Sequence, residues 1–237
     1  MKKPLVSLLS LALAFTVVSP SLSAEGSAES QATVEFTAPT EPVAPVNPED
    51  PTQPNPDAGD AGNITGQEGP LSLDHVSHLD FGNQIISTSQ EVYEATTDLP
   101  YIQVSDLRGT GNGWNVEAQV SEFNDGEVVS LPGSSIQLEG GDTDSTTNTD
   151  APVINPSINL VTGRDPVNVV TAAPKEDGST VSTAQGLGTW VMRWLGESEE
   201  TNEKVTLTVP GSTASVGNHT ATITWTLNAG SPDGTEE

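Results

Sequence analysis

Residues 218–229 alternate apolar and polar side chains: Ala221, Ile223, Trp225 and Leu227 fall on one side, Thr220, Thr222, Thr224 and Thr226 on the other. A repeat of two is the period of a β-strand with one buried face, and such a strand needs both a partner to pair with and a core to cover. The same repeat recurs upstream. No stretch beyond residue 24 keeps the period of an amphipathic helix.

Leu71 and Leu73 alternate, and Val76, Leu79 and Phe81 extend the apolar series to Gly82; Ile85–Ile86 and Val92–Tyr93 are weaker strand candidates. Tyr101–Leu107 sets Ile102 and Val104 opposite Tyr101, Gln103 and Ser105. After the glycine-rich run Gly109–Gly113, Trp114–Phe123 places Trp114, Val116, Ala118 and Val120 on one face. These two segments read as a hairpin. Asn124-Asp125-Gly126 is a second turn signal, leading to Val128–Leu131 and Ser135–Leu138, and Gly140–Pro156 reads as a polar loop. Strands resume at Val167–Thr171, at Gly186–Gly196 (Trp190, Met192 and Trp194 opposite Val191, Arg193 and Leu195) and at Val205–Val209. About ten short strands at this spacing imply an all-β fold, an antiparallel β-sandwich of the Greek-key or Ig-like kind, with a barrel as the alternative.

Ala32–Thr37 also alternates, which predicts a first strand. Behind it Pro39, Pro42, Pro45, Pro48, Pro51 and Pro54 recur every third residue, with Pro56 added. Polyproline II has about three residues per turn and rises about 3.1 Å per residue, so 39–56 would reach on the order of 55 Å. The segment is either a stiff stalk or a long Pro/Asp-rich excursion from a domain that begins at Ala32; the alternation before it favours the second. The expected organisation is a signal peptide over 1–24, a short flexible stretch over 25–31, a single β domain over 32–229 that includes a Pro-rich loop at 38–69, and an acidic tail over 230–237.

The signal peptide rests on the basic Lys2-Lys3, the apolar run Leu5–Val18 and the small-residue exit Ser19–Ala24, a span too short for a bilayer. Secretion follows, with no membrane anchor after cleavage. Leu131-Pro132-Gly133 lacks the rest of a sortase signal, so retention on the cell would be non-covalent. Cysteine is absent from the 237 residues, which removes disulfides, thiol catalysis and thiolate metal sites. Hydrophobic residues make up only 33%, enough for one compact core with polar excursions. Without Lys2 and Lys3, five basic residues stand against 33 acidic ones, and no positive charge occurs between Lys3 and Arg108. Such a surface repels nucleic acid, anionic lipid and polyanionic teichoic acid.

Several segments in order carry a resemblance: Leu73-Asp74-His75-Val76 to Phe81-Gly82, Val104–Gly111 leading into Trp114-Asn115-Val116, Gly186-Leu187-Gly188-Thr189-Trp190, and Thr224-Trp225-Thr226-Leu227. Together they resemble the WxL-domain surface proteins of low-GC Gram-positive bacteria, over roughly residues 32–229. The first motif ends in Val116 where the family has leucine, a modest change of volume at a core-facing position. The resemblance implies a secreted, non-catalytic protein held non-covalently on the cell wall, with peptidoglycan as the partner and other cell-surface proteins as further candidates. An adhesin or member of a multi-protein surface complex is the alternative, and a secreted carbohydrate-active enzyme a weaker one.

Strand geometry assigns the motif residues Trp114, Val116, Trp225 and Leu227 to the core, because each shares a face with apolar neighbours. Trp190, Trp194 and Arg193 are the candidates for contact with the wall or a partner, their strand being largely apolar on both faces. No metal site or other cofactor is expected. His75, His78 and His219 form no ligand pattern, and Asp142–Asp150 lacks the turn glycine and terminal glutamate of a calcium loop. No Gly-x-Ser-x-Gly elbow or Ser/His/Asp set marks a nucleophile, so no catalytic residue is assigned.

Overall fold

The computed structural model describes residues 27–55, 64–126, 128–198 and 200–230. The expected signal peptide, the tail beyond residue 230 and residues 56–63 of the Pro-rich loop lie outside them. The chain divides into two compact units, Met1–Phe36 and Thr37–Glu237. In the first, residues 27–36 carry no regular secondary structure, with Val34 76% and Phe36 88% exposed. The strand expected over Ala32–Thr37 is not formed: its alternation is real, but no neighbouring strand supplies the hydrogen bonds that would define it.

The second unit is all-β. Its strands are β1 (Leu71–Val76), β2 (Glu91–Ala95), β3 (Tyr101–Asp106), β4 (Trp114–Val120), β5 (Phe123–Asn124), β6 (Val129–Ser130) and β7 (Ser135–Glu139). They continue as β8 (Asp142–Ser145), β9 (Val153–Ile154), β10 (Ser157–Val161), β11 (Val167–Ala172), β12 (Gly188–Arg193), β13 (Asn202–Val209) and β14 (Ile223–Ala229). Every pairing between these strands is antiparallel, in three four-stranded sheets ordered β1-β3-β12-β8, β10-β7-β13-β2 and β14-β4-β11-β9, plus the short β5-β6 ribbon. The arrangement is sandwich-like. The inward faces meet in one cluster, to which Val104 and Met192 contribute from the first sheet, Ile136 and Leu207 from the second, and Trp114 and Val170 from the third. Burial of these apolar faces is the main force holding the sheets together.

Contrary to expectation, β3 and β4 are not a hairpin. β3 pairs with β1 and β12, whereas β4 pairs with β14 and β11 in a different sheet. Gly109, Gly111 and Gly113 all have φ near +70°, and the Gly109–Gly113 run carries the chain from one sheet to the other. Arg108 fixes this crossing: its guanidinium pairs with Asp106 at 2.7 Å and donates to the Gly113 carbonyl at 2.7 Å. At Gly113 an added Cβ would overlap the Ala172 carbonyl, so only glycine fits.

The Pro-rich segment folds back on itself. Asn47 N–H donates to the Gln53 carbonyl and Asn55 N–H to the Pro45 carbonyl, with a Val46–Pro54 bridge between them. Asn47 and Asp50 side chains accept from Glu49 and Thr52 N–H, the Asx turns that reverse the chain despite the proline period. The hairpin lies on the outer face of the first sheet. Val46 N–H donates to Gln103 Oε1 at 2.8 Å, Gln103 Nε2 donates to the Ala44 carbonyl, and Tyr101 O–H donates to the Val46 carbonyl. All six residues of β3 are buried as a result.

Beneath this cover is a polar layer. A β-bulge between Leu73 and His75 leaves Asp74 unpaired and turned outward with Ser72. Asp74, 2% exposed, accepts from Ser72 and Ser105 hydroxyls at 2.6 Å and from Gln103 Nε2 at 2.9 Å. Burial raises its pKa above the usual carboxylate value, against the lowering effect of these three hydrogen bonds. The His75 ring stacks on Tyr101 at 3.9 Å between centroids.

Candidate functional site

The two motifs lie on adjacent strands. In the β4–β14 ladder Val116 stands opposite Leu227, Trp114 opposite Ala229 and Trp225 opposite Ala118. Residues directly opposite share a face, so each tryptophan has an alanine across from it, and the small residue leaves room for the large one. Trp114 and Val116 are fully buried. Trp225 and Leu227 are packed against the core but only partly buried, because β14 is the edge strand of its sheet.

Trp114 is held from above as well. Its Nε1 donates to the Gly186 carbonyl at 3.1 Å. Gly186 has φ +68°, and a Cβ there would come within 2.8 Å of both the Trp114 ring and Ala172. The glycine-rich segment before Trp190 is thus shaped around the first motif's tryptophan.

Trp190 and Trp194 do not reach the surface. Both are buried in the common core, with Trp190 Nε1 donating to the Leu187 carbonyl at 3.0 Å. Arg193 is occupied too: it pairs with Asp142 at 3.0 Å and Asp144 at 2.9 Å, and donates to the Pro48 carbonyl. The Asp142 hydrogen bond raises its pKa further. The three residues expected to contact the wall or a partner thus lie on or beside β12, an interior strand of its sheet, with the two tryptophans buried and the Arg193 side chain 16% exposed. Two of the aspartates weighed as calcium ligands, Asp142 and Asp144, are the partners of Arg193 on β8. Among the described residues, no group of three or more His, Asp or Glu is placed to hold a metal ion.

Beside Trp225 the core opens. A cleft of about 800 Å³ separates β14 from β13 and β2 and is bridged by the irregular segment after β1. Phe123, Leu131, Ile136 and Leu207 form its floor, Trp225 and Tyr93 stand in its walls, and Asn83, Gln84 and Asn218 bring side-chain amides to it. Asp80 is the one carboxylate among the described lining residues, and its Oδ1 accepts from Gly82 N–H at 2.8 Å. His219 has both ring nitrogens engaged, with the Ser130 hydroxyl at 2.8 Å and the Ser215 carbonyl at 3.0 Å. The carbonyl can only accept, so Nε2 carries the proton. The cleft escapes sequence reading because its walls come from separate sheets; the apolar Leu79, Phe81, Ile85 and Ile86, more than one sheet face can bury, were its trace.

A family model described as WxL domain surface cell wall-binding matches residues 23–230. No curated protein and no solved structure matches the chain. Among the described residues no helix is long and apolar enough to cross a membrane.

Proposed function

The chain belongs to the WxL family of surface cell-wall-binding domains, and from that premise we propose that it is a non-catalytic surface protein that binds peptidoglycan without a covalent link. The observation that carries this reading is the family match, which runs from residue 23 to residue 230 and so takes in all fourteen strands. Charge supports the choice of ligand. A chain with 33 acidic residues and so few basic ones is repelled by phosphate-rich wall polymers, which leaves the glycan and peptide matrix as the surface it can approach. The cleft supports a binding role without hydrolysis, since glycosidases work with two carboxylates across the scissile bond and the described lining holds one, bonded to a backbone N–H.

Sedimentation of the purified protein with walls stripped of teichoic acid tests the reading. Retention without any second protein is the expected result, and a protein left in the supernatant ends the proposal. Sugar released from those walls would make it an enzyme instead.

A second reading has its own observation. Residues 32–36 alternate like a strand yet expose Val34 and Phe36, an arrangement suited to pairing with a sheet edge of another surface protein. Retention that depends on such a partner would favour an assembly role.

A further inference from the structure

We propose that the cleft beside Trp225 is the wall-contact site and that its ligand is an uncharged run of N-acetylated sugars in the glycan strand; the proposal rests on the wall-binding reading above.

Size is the first requirement, and about 800 Å³ lies within the range of sites that enclose small ligands. Surface chemistry is the second. A pyranose ring offers C–H faces that stack on aromatic rings, hydroxyls that need donors and acceptors, and, when N-acetylated, a methyl group beside an amide. The cleft presents each complement: Trp225 and Tyr93 for the ring faces, the amide residues Asn83 and Asn218 for the polar groups, with Gln84 Nε2 donating to the Phe81 carbonyl, and the floor around Leu131 and Leu207 for the methyl.

Charge is the third requirement, and it selects among wall polymers. On a protein this acidic, a lining with Asp80 as the single carboxylate among its described residues is an exception. Asp80 accepts from Gly82 N–H, and both ring nitrogens of His219 are engaged, with the Ser130 hydroxyl and the Ser215 carbonyl. Among its described lining residues there is no Lys or Arg for a phosphate or a peptide carboxylate and no acidic cluster for an amine. A neutral ligand meets neither repulsion nor an unpaired partner.

Exposure is the fourth. Ile85 is 89% exposed at the cleft mouth and Ile86 nearly half, an apolar edge on a segment without regular structure. Side chains of this kind stay in water at a cost that an occupant removes.

The test titrates the full chain with a soluble N-acetylglucosamine oligomer, following tryptophan fluorescence, and uses the oligomer to compete against teichoic-acid-stripped walls. An equivalent glucose oligomer without acetamido groups is the control ligand. Ile85→Glu puts a charge at the mouth where no packing is lost, and Val153→Glu, at a 61% exposed position on β9 away from the cleft, is the control variant. Trp225→Phe is the second cleft variant, read against its own melting temperature. The expected result is competition by the acetylated oligomer, at least about tenfold weaker wall retention for Ile85→Glu with unchanged melting, and wild-type retention for Val153→Glu. Wall retention that survives both the oligomer and Ile85→Glu overturns the cleft assignment and leaves the wall-binding reading standing. If the wild-type chain does not bind walls at all, that reading fails, and the oligomer titration alone decides the cleft: no fluorescence change and no heat of binding overturns it. Loss of a self-associated form in Ile85→Glu, with no sugar binding in the wild type, would assign the cleft to a second copy of the chain and likewise overturn the proposal.

Discussion

Val116 and Leu227 face each other across the β4–β14 ladder, so the two motifs run antiparallel, with Trp114 lying beyond this pair at one end and Trp225 at the other. The two tryptophans have the same local setting and different depths. Trp114 closes the core under Gly186, whereas Trp225 stands where the core opens into the cleft.

That difference separates two alanine variants. Trp114→Ala removes a fully buried ring and its hydrogen bond and is expected to cost about 3–5 kcal/mol. For a unit of this size that corresponds to roughly 6–20 °C in melting temperature. Trp225→Ala, at a partly buried edge position, is expected to cost less than half as much. Differential scanning calorimetry on both decides it, and equal losses would contradict the placement of Trp225.

Gly186→Ala is a one-methyl change with a disproportionate cost. The new Cβ meets Trp114 and Ala172 at distances that real Cβ atoms do not tolerate, in a backbone conformation that disfavours it. A loss of about 1–3 kcal/mol from overpacking is expected in urea denaturation, with the m-value unchanged.

The Pro-rich hairpin is fastened by Arg193, and cutting that fastening is expected to act locally. Arg193→Met removes the pairs to Asp142 and Asp144 and the bond to the Pro48 carbonyl. Because the Asp142 side chain is 58% exposed, the expected global cost is only about 1 kcal/mol. Amide exchange at Val46, Asn47 and Asn55, whose N–H groups bond across or beneath the hairpin, should quicken much more than exchange in β4.

Asp74 makes a pH dependence of unusual sign. Its folded pKa is raised above the ordinary carboxylate value of 3.8 by burial, so between that value and the folded one the native state holds a proton that the unfolded chain has released. Its contribution to stability is therefore fully present at the acid end and is lost as pH rises through the folded value. Asp74→Asn keeps the geometry, since the amide oxygen can accept from Gln103 and Ser105 while its NH₂ donates to the Ser72 hydroxyl. The stability of the asparagine variant relative to wild type should rise with pH across this window and then level off, as followed by chemical denaturation at a series of pH values. A difference that falls or stays flat would contradict the upward shift that burial gives Asp74.

Much of this structure could be read from period two. β3, β4, β11, β12, β13 and the heart of β14 all carry alternation strong enough to mark them, and the family resemblance rested on the same segments. Pairing could not be read. The Gly109–Gly113 run looks the same in sequence whether it reverses the chain within a sheet or carries it to another, and only long-range packing chooses. β8 was missed because Asp142-Thr143-Asp144-Ser145 has no apolar residue; it joins its sheet through backbone bonds to β12 and the charge of Arg193. β10 did carry a signal in Ile158 and Leu160, both buried, beside a polar loop that masked it. The outward polar face of β3 is buried because a separate segment, the Pro-rich hairpin, covers it, a contact that alternation within β3 does not reveal. Trp190 and Trp194 read as surface candidates for a related reason: a strand apolar on both faces is an interior strand, and here the second face is covered as well.

The most direct measurement is the sedimentation isotherm of the purified chain on teichoic-acid-stripped walls at low and high ionic strength. Saturable retention that salt leaves nearly unchanged is the expected result, because a neutral ligand gives the ions nothing to screen. A chain that remains in the supernatant, or one whose retention collapses as salt is added, would contradict the account.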